Sequence, residues 1–397
     1  MATERRKWPV WARIVLVLAV VIVVVSGGVA VGAHVLVSKA TDSITQTTLL
    51  EGEASAAEGP QGNNIEGAVN LLLVGIDARG ENGGSDGDSV RSDTIIILHI
   101  PETHDKAYLI SLPRDWLVDI PAYQKNGFPG ISDKINTAFS AGYDGEGTHL
   151  EKLGRGMDLL STTINKATGI KFNGAAIIDF NGFSSVIHAL GGVDMCVDQE
   201  AESAHLGVDK DGKLVQGWYS EWSGIQLQQG VTPFVHKVGC RKMTATEALD
   251  YSRIRKSLPN GDYDRQRHQQ QLIKAIVKQA TSTGVLTDPG KLNQLIGAAG
   301  DAFILDTRGT PIIDYIFTLR GVAANDMTLL KTNSGVVNTR IINNTYFEDL
   351  NPLSLEMIKA AQGGTLGAFL TAHPEFIAPS EGDPATASPA ASPPAGQ

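Results

Sequence analysis

The sequence predicts a mixed α/β domain, with a central mostly antiparallel or mixed sheet flanked by helices, carried behind one membrane-spanning helix. Three observations lead there. A long apolar run lies near the N-terminus, short β-branched runs bounded by turn residues recur between residues 69 and 180, and a 3.6-residue apolar period appears after residue 264. The 397 residues, 42% hydrophobic and 19% charged, suffice for one large domain or two smaller ones. A net charge of -10 argues against a general nucleic-acid binder, which would normally be basic. A local basic site remains compatible with that total.

Ile14 to Val37 contains His34 as its only ionisable residue, and about 20 apolar residues span a bilayer core. Arg5, Arg6, Lys7 and Arg13 precede the run, while Lys39 and Asp42 follow it. The positive flank places residues 1–13 in the cytoplasm and the rest outside, as a single-pass protein of the cell membrane. A cleaved signal peptide is the competing reading, with Ala30, Gly32 and Ala33 as small residues for cleavage, but the run is longer than a signal needs. Residues 38–67, rich in Ala, Gly, Ser, Thr, Glu and Gln, read as a stalk, and 68–378 as the extracellular folded domain. The Pro/Ala-rich residues 379–397 cannot bury enough surface to offset their ordering entropy and read as a disordered tail. Cys196 and Cys240 both fall on the outer side, where an even pair reads as a disulfide rather than two free buried thiols. Such a bridge closes a loop of about 45 residues, worth roughly 4 kcal/mol on the chain-entropy model.

Within the folded domain, Val69 to Ile76 reads as a buried strand. Thr94 to Ile100 and Ala107 to Leu112, separated by Pro101 and polar residues, read as a hairpin-connected pair. Ala175 to Phe180 is a further strand, followed by a helix from Asn181 to Leu190 that Gly191-Gly192 stops. Thr244-Ala245-Thr246-Glu247 has capping-box spacing and starts a short helix towards Tyr251. A stronger helix runs from about Asp264 to Ala280. After that, helices near Pro289 to Phe303 and Leu353 to Gln362 read as packing elements without evident chemistry.

Three clusters carry chemistry. Asp77 ends the first strand, and Arg91-Ser92-Asp93 leads into the next. If that lead-in is extended, Arg91 and Asp93 share a face, and Asp77 and Asp93 approach each other at one sheet edge. Two adjacent carboxylates repel unless a cation lies between them, and hard oxygen ligands with phosphate suit Mg²⁺. Pro113-Arg114-Asp115 follows the strand ending at Leu112, where loops commonly present binding groups. The third cluster is Arg253-Ile254-Arg255 and then Asp262-Tyr263-Asp264-Arg265-Gln266-Arg267-His268-Gln269-Gln270. Arg265 and Gln269 fall on the apolar seam of Leu272, Ile273, Ile276 and Val277, where an arginine is costly unless an anion meets it. Arg267 falls near the opposite face and reads as solvated. Guanidinium groups grip phosphate bidentately and stay charged, and phosphoryl transfer depends mostly on positioning and charge neutralisation. An Arg–Asp network that merely holds the sheet together is the alternative. No GxSxG elbow exists, Gly290-Lys291 lacks P-loop spacing, Asp86-Gly87-Asp88 lacks the EF-hand continuation, and no CxxC or HExxH spacing or histidine ligand pattern suggests zinc.

These motifs in this order resemble the LytR–CpsA–Psr family of cell-wall glycopolymer transferases. The resemblance rests on Leu-Leu-Val-Gly-Ile-Asp77, Arg91-Ser92-Asp93-Thr94, Leu-Pro113-Arg114-Asp115, Lys134-Ile135-Asn136 and Gly191-Gly192-Val193. It continues through Ala248-Leu249-Asp250-Tyr251-Ser252-Arg253 and the run Asp262 to Gln270, so it spans roughly Val69 to Ala280. It implies a hydrophobic tunnel for a polyprenyl chain beside a charged pyrophosphate site. The implied activity is Mg²⁺-dependent (or Mn²⁺-dependent) transfer of a glycopolymer from a polyprenyl-pyrophosphate carrier to a peptidoglycan acceptor, at the membrane and without nucleic acid. By motif, Asp77 and Asp93 would hold the metal, while Arg91, Arg114, Arg253, Arg255 and Arg265 contact phosphates and Asp262 and Gln269 support them. His268 departs from the arginine often found at that position. Two rival activities fit the same residues: a polyprenyl-pyrophosphate phosphatase, and a non-catalytic regulator that only holds the lipid carrier.

Overall fold

The computed structural model describes residues 45–56, 65–76, 90–216, 218–220, 224–226, 229–282, 288–300, 303–310, 315, 322 and 327–379. The predicted span Ile14–Val37, the cytoplasmic residues before it, much of the stalk, Asp77 and nearly all of the tail lie outside the described residues. Among the described residues no helix is long and apolar enough to cross a membrane.

The N-terminal half contributes β1 (Thr45–Gln46), β2 (Val69–Ile76), β3 (Ser92–Ile100), β4 (Ala107–Leu112), β5 (Leu117–Ile120) and β6 (Ile131–Lys134). Helices α1 (Ile135–Tyr143) and α2 (His149–Thr168), strand β7 (Gly174–Asp179) and α3 (Phe180–Ala189) follow. A smaller β region holds β8 (Val193–Val197), β9 (Ala201–Val208), β10 (Leu214–Gln216), β11 (Trp218–Ser220), β12 (Gly224–Gln226), β13 (Thr232–His236) and β14 (Gly239–Met243). Then come α4 (Ala245–Arg253), α5 (Asp262–Ser282), α6 (Pro289–Gly300), β15 (Phe303–Asp306) and β16 (Met327–Lys331). The chain closes with β17 (Thr339–Ile342), β18 (Thr345–Glu348), α7 (Pro352–Gln362) and α8 (Leu366–Ala372).

Seven strands form the central sheet in the order β1-β15-β7-β2-β3-β4-β16. It is mixed, as predicted: β2 to β4 are antiparallel neighbours, while β2 lies parallel to β7 and β4 parallel to β16. The predicted hairpin of β3 and β4 is present. Both faces are covered, which explains the nearly continuous apolar runs in these strands. Leu72, Val74, Ile95, Ile97 and Ile110 pack against α1 and α2, where Phe139, Leu153, Met157 and Leu160 are buried. On the other face, Leu71, Leu73, Ile96, Leu98 and Leu109 meet Ile273 and Val277 of α5. A third core joins α3, α4, α5 and β8 through Ile187, Val193, Tyr251 and Leu272.

The C-terminal segment is more than packing. β15 and β16 complete the sheet beside β7 and β4, in positions that no local pattern announced. Helix α4 starts at the predicted capping box, with Thr244 and Glu247 capping each other, an arrangement worth about 1 kcal/mol. Gly191 and Gly192 end α3 at positive φ, and a Cβ on Gly192 would lie 2.8 Å from the Met243 carbonyl oxygen. The Cys196–Cys240 disulfide joins directly opposed residues of β8 and β14.

Helix α5 corrects one expectation. From Asp264 to Leu272 every residue is buried, including Arg267 at 7% exposure. Arg267 therefore does not face solvent. The 3.6-residue rule assumes a surface helix with one apolar stripe, but this helix is inserted between the sheet and the layer of α4 and β8. Its second face is pinned by ion pairs: Arg267 Nε to Asp198 Oδ2 at 2.8 Å and Nη1 to Asp264 Oδ1 at 2.5 Å. Gln270 ties its sheet side to the carbonyls of Leu109 and Leu330 and to Ser111 Oγ. His268 stacks on Tyr251 at 3.9 Å, and burial pushes its pKa down to about 3, so it serves as a neutral packing group.

Candidate active site

A β-bulge sets Asp93. Gly75 pairs with Thr94 and Ile76 with Ser92, so Asp93 is the extra residue, a device that re-aims a side chain at a strand end. Gly75 permits the close approach, because a Cβ there would lie 2.9 Å from Thr94 Cβ. The bulge also interrupts the alternation on which the predicted shared face of Arg91 and Asp93 depended. Arg91 is exposed and makes no ion pair or hydrogen bond with a described residue.

Arg114 leaves the end of β4 and reaches Asp93 Oδ1 through Nη1 at 2.6 Å. Its Nε lies 3.8 Å from Asp262 Oδ1 and 3.7 Å from Asp115 Oδ2. The Lys134-Ile135-Asn136 motif explains how this loop is held. Lys134 pairs with Asp115 at 2.8 Å, and the amides of Ile135 and Asn136 donate to the carbonyls of Trp116 and Arg114. From the first turn of α5, Arg265 donates through Nη2 to the Asp93 carbonyl at 3.1 Å and sits 2.6 Å from Asp262 Oδ1. That last contact is out of alignment, since Asp262 Oδ1 has no hydrogen bond. Gln266 Nε2 holds the other oxygen of Asp262 at 2.9 Å.

Burial disfavours the charge of Arg265, and repulsion from Arg114 and Arg255 adds to that, so its pKa falls despite Asp262. Burial likewise works against charged Asp262, but Arg265, Arg114 and Arg255 outweigh it and hold its pKa below the usual carboxylate range. Arg114 has its pKa raised, because Asp93, Asp262 and Asp115 offset its burial. An arginine stays protonated at any accessible pH. Arg265 is therefore a buried cation whose desolvation Asp262 only partly offsets. The Nε atoms of Arg114 and Arg265 and Oε1 of Gln269 are buried without a hydrogen-bond partner. Nε donors without hydrogen bonds on two neighbouring guanidinium groups suit a multivalent anion.

Of the predicted residues, Asp93, Arg114, Asp262 and Arg265 form one contact cluster, and Arg255 acts on it through its charge. Gln269 borders the same place. Arg253 is half-buried at the end of α4, and Arg91 stands outside the cluster. Asp77 lies outside the described residues. No group of three or more His, Cys, Asp or Glu side chains that could hold a metal occurs among the described residues. Asp93 nevertheless fits a phosphate-bound metal, since Oδ1 takes Arg114 while Oδ2 accepts no hydrogen bond from a described residue and the side chain is 24% exposed.

Below the cluster runs an apolar cleft between α5, α3 and the sheet, lined by Leu73, Thr94, Ile96, Phe183, Gln269 and Leu272. This is where the tunnel implied by the resemblance would run. Its cavity of about 30 Å³ is far below the ~300 Å³ of a small-ligand site.

Ser203, Asp250 and His236 superficially suggest a hydrolytic triad. Both Ser203 Oγ and His236 Nε2 bond to Asp250, at 2.6 and 2.7 Å, rather than to each other, and all three are buried. They pin β9 and β13 to α4. Local spacing missed the partners Asp198 and Glu348, which lie 69 residues before Arg267 and 85 after Tyr263.

The LytR_cpsA_psr family model matches residues 34–363. The cell wall biosynthesis protein LcpA of Corynebacterium glutamicum is 25% identical over 347 residues, covering 82% of this chain and 60% of LcpA. The chain thus spans less than two thirds of that relative. The polyisoprenyl-teichoic acid–peptidoglycan teichoic acid transferase TagU of Oceanobacillus iheyensis is 29% identical over 300 residues, covering 74% of this chain and 76% of TagU. Among solved structures, TagT bound to LI-WTA aligns with TM-score 0.53 at 21% identity, over 81% of this chain and 99% of TagT. Bacillus subtilis TagV aligns with TM-score 0.51 at 19% identity, over 76% of this chain and 98% of TagV. These alignments establish a shared fold. With its family model covering most of its length, the chain belongs to the LytR_cpsA_psr family.

Proposed function

We propose that this protein transfers a glycopolymer from a polyprenyl-pyrophosphate carrier to peptidoglycan, leaving a phosphodiester link. The observation that carries this reading is the pair of buried, unpartnered Nε donors of Arg114 and Arg265, set beside Asp93 and Asp262 and above an apolar cleft. The transferase activity named for TagU supports it. In this reading Arg114, Arg265 and Arg255 neutralise the pyrophosphate oxygens, with Arg91 and Arg253 as outer contacts. Asp262 orients Arg265, Gln269 meets the lipid-proximal phosphate, and the cleft takes the first isoprene units. A wall-sugar hydroxyl then forms a bond to the glycan-bearing phosphorus as the P–O–P bond breaks and polyprenyl phosphate departs. The hydroxyl loses its proton to the leaving side, and the polyprenyl phosphate carries that proton away or releases it to water. Asp93, with Asp77, would hold Mg²⁺ or Mn²⁺, which supplies charge neutralisation at the phosphates. The domain stands outside the cell membrane behind one spanning helix, Ile14–Val37.

Full-length protein in detergent, given a lipid-linked glycan, peptidoglycan and Mg²⁺, should form a wall-linked product that phosphodiester cleavage releases. EDTA should abolish it and added Mg²⁺ restore it. Inorganic phosphate release without linkage would establish the phosphatase instead. Lipid retained without turnover would establish the regulator.

A further inference from the structure

Beside the arginine cluster opens a second, larger pocket of about 430 Å³. Asp115, Arg255 and Asp262 form one wall, and Thr339, Tyr346 and Phe347 of the β17–β18 hairpin form the other. Helix α5 orders the whole site along one axis. Asp262, Tyr263 and Gln266 line this pocket, Gln269, Leu272 and Ile273 line the apolar cleft, and Arg265 with its unpartnered Nε lies between them. At a rise of 1.5 Å per residue, Asp262 and Gln269 are about 10 Å apart along the helix.

Substitution at phosphorus places the attacking and leaving oxygens roughly in line. If the prenyl-bearing leaving group occupies the cleft, the nucleophile arrives from the far side of Arg265, where the open pocket lies. The lining suits a sugar rather than a lipid. Lys256, Asn260, Thr339 and Asp115 offer polar groups, and Tyr346, 63% exposed, offers an aromatic face with a polar tip. The volume falls within the ~300–1,000 Å³ of small-molecule sites.

Resting on the transferase reading, we infer that the pocket between α5 and the β17–β18 hairpin binds the acceptor saccharide of peptidoglycan, with Tyr346 stacking on a sugar ring. The acceptor hydroxyl is thereby held against the phosphorus that Arg114 and Arg265 grip. Tyr346 faces Ile341 on an exposed hairpin, so its loss leaves the core intact.

The test uses the full chain in detergent and a soluble, uncross-linked peptidoglycan glycan strand, titrated calorimetrically without donor. Tyr346→Ala should weaken strand binding about tenfold, which is about 1.4 kcal/mol, and Tyr346→Phe should retain it. In the transfer assay, Tyr346→Ala should raise KM for the strand by a similar factor and leave KM for the lipid-linked donor unchanged. Unchanged strand binding overturns the proposal. So does a rise in KM for the donor in place of the strand, which would assign the pocket to the donor glycan. If no donor is transferred yet strand binding still depends on Tyr346, the transferase reading fails while the saccharide site stands.

Discussion

Arg265 and Arg267 lie two residues apart on one helix, and replacing each with methionine should produce opposite phenotypes. Arg267 neutralises Asp198 and Asp264, whose side chains are each 1% exposed. Arg267→Met leaves both carboxylates buried without their guanidinium, and breaking a buried pair this way costs about 3–5 kcal/mol. For a domain of this size the melting temperature should fall by roughly 5–15 °C. Arg265→Met leaves less behind. Asp262 keeps Gln266 and the nearby Arg114, and the lost donor to the Asp93 carbonyl costs about 1 kcal/mol. Transfer should suffer far more, because each charge-assisted contact to phosphate is worth about 1.5–3 kcal/mol, or roughly 10–150-fold in rate. Thermal unfolding and the transfer assay, run on both variants at a temperature where each is folded, separate the two effects. If Arg265→Met melts as low as Arg267→Met, or transfers at a wild-type rate, the anion-binding assignment of Arg265 is wrong. An Arg267→Met protein that melts normally would remove the structural one.

Three further outcomes follow from the same geometry. Gly75→Ala drives a Cβ onto Thr94 and should cost about 1–3 kcal/mol. Thr94→Gly, which removes the clashing Cβ, should recover much of that loss in a double-mutant cycle, and simple additivity would show that the bulge contact is unimportant. Replacing Cys196 and Cys240 together by alanine opens a bridge with a sequence separation of 44 and should lower stability by about 4 kcal/mol, read as a shift in the urea midpoint. A stability loss under ~1 kcal/mol, taken from the midpoint and slope, would contradict it. Burial holds His99 near pKa 4 and His268 near 3, against 6.5 for an exposed imidazole. The unfolded chain therefore takes up protons first as pH falls below 6.5, and each histidine subtracts about 1.4 kcal/mol of stability per pH unit until its folded pKa is reached. His99→Gln should flatten that slope between pH 6 and 5; an unaltered slope counts against a buried neutral imidazole.

Much of the scaffold was legible because local rules decide it. The β-branched run Thr94 to Ile100 read as a strand paired with Ala107 to Leu112, and the capping residues of α4 announced its start. The phosphate-site candidates were legible as residue types, since several arginines and aspartates at strand ends and on one helix narrow the chemistry. Their assembly was not. Arg91 and Asp93 looked like face-mates by alternation, but a bulge created by the pairing of Gly75 with Thr94 sets Asp93 against Arg114 and leaves Arg91 exposed. Arg267 looked solvated because periodicity cannot register a helix enclosed by a second layer, whose anchor Asp198 lies 69 residues away.

By itself, then, the sequence determined which residues could grip a phosphate, that strands and helices alternate around a mixed sheet, and which family motifs the chain carries. These are properties of spacing and side-chain chemistry. The tertiary structure decided which guanidinium groups keep unmet donors and which are consumed by buried carboxylates, and that an open pocket and an apolar cleft flank Arg265 along one helix. Those outcomes depend on desolvation and on partners distant in the chain, and local spacing carries neither.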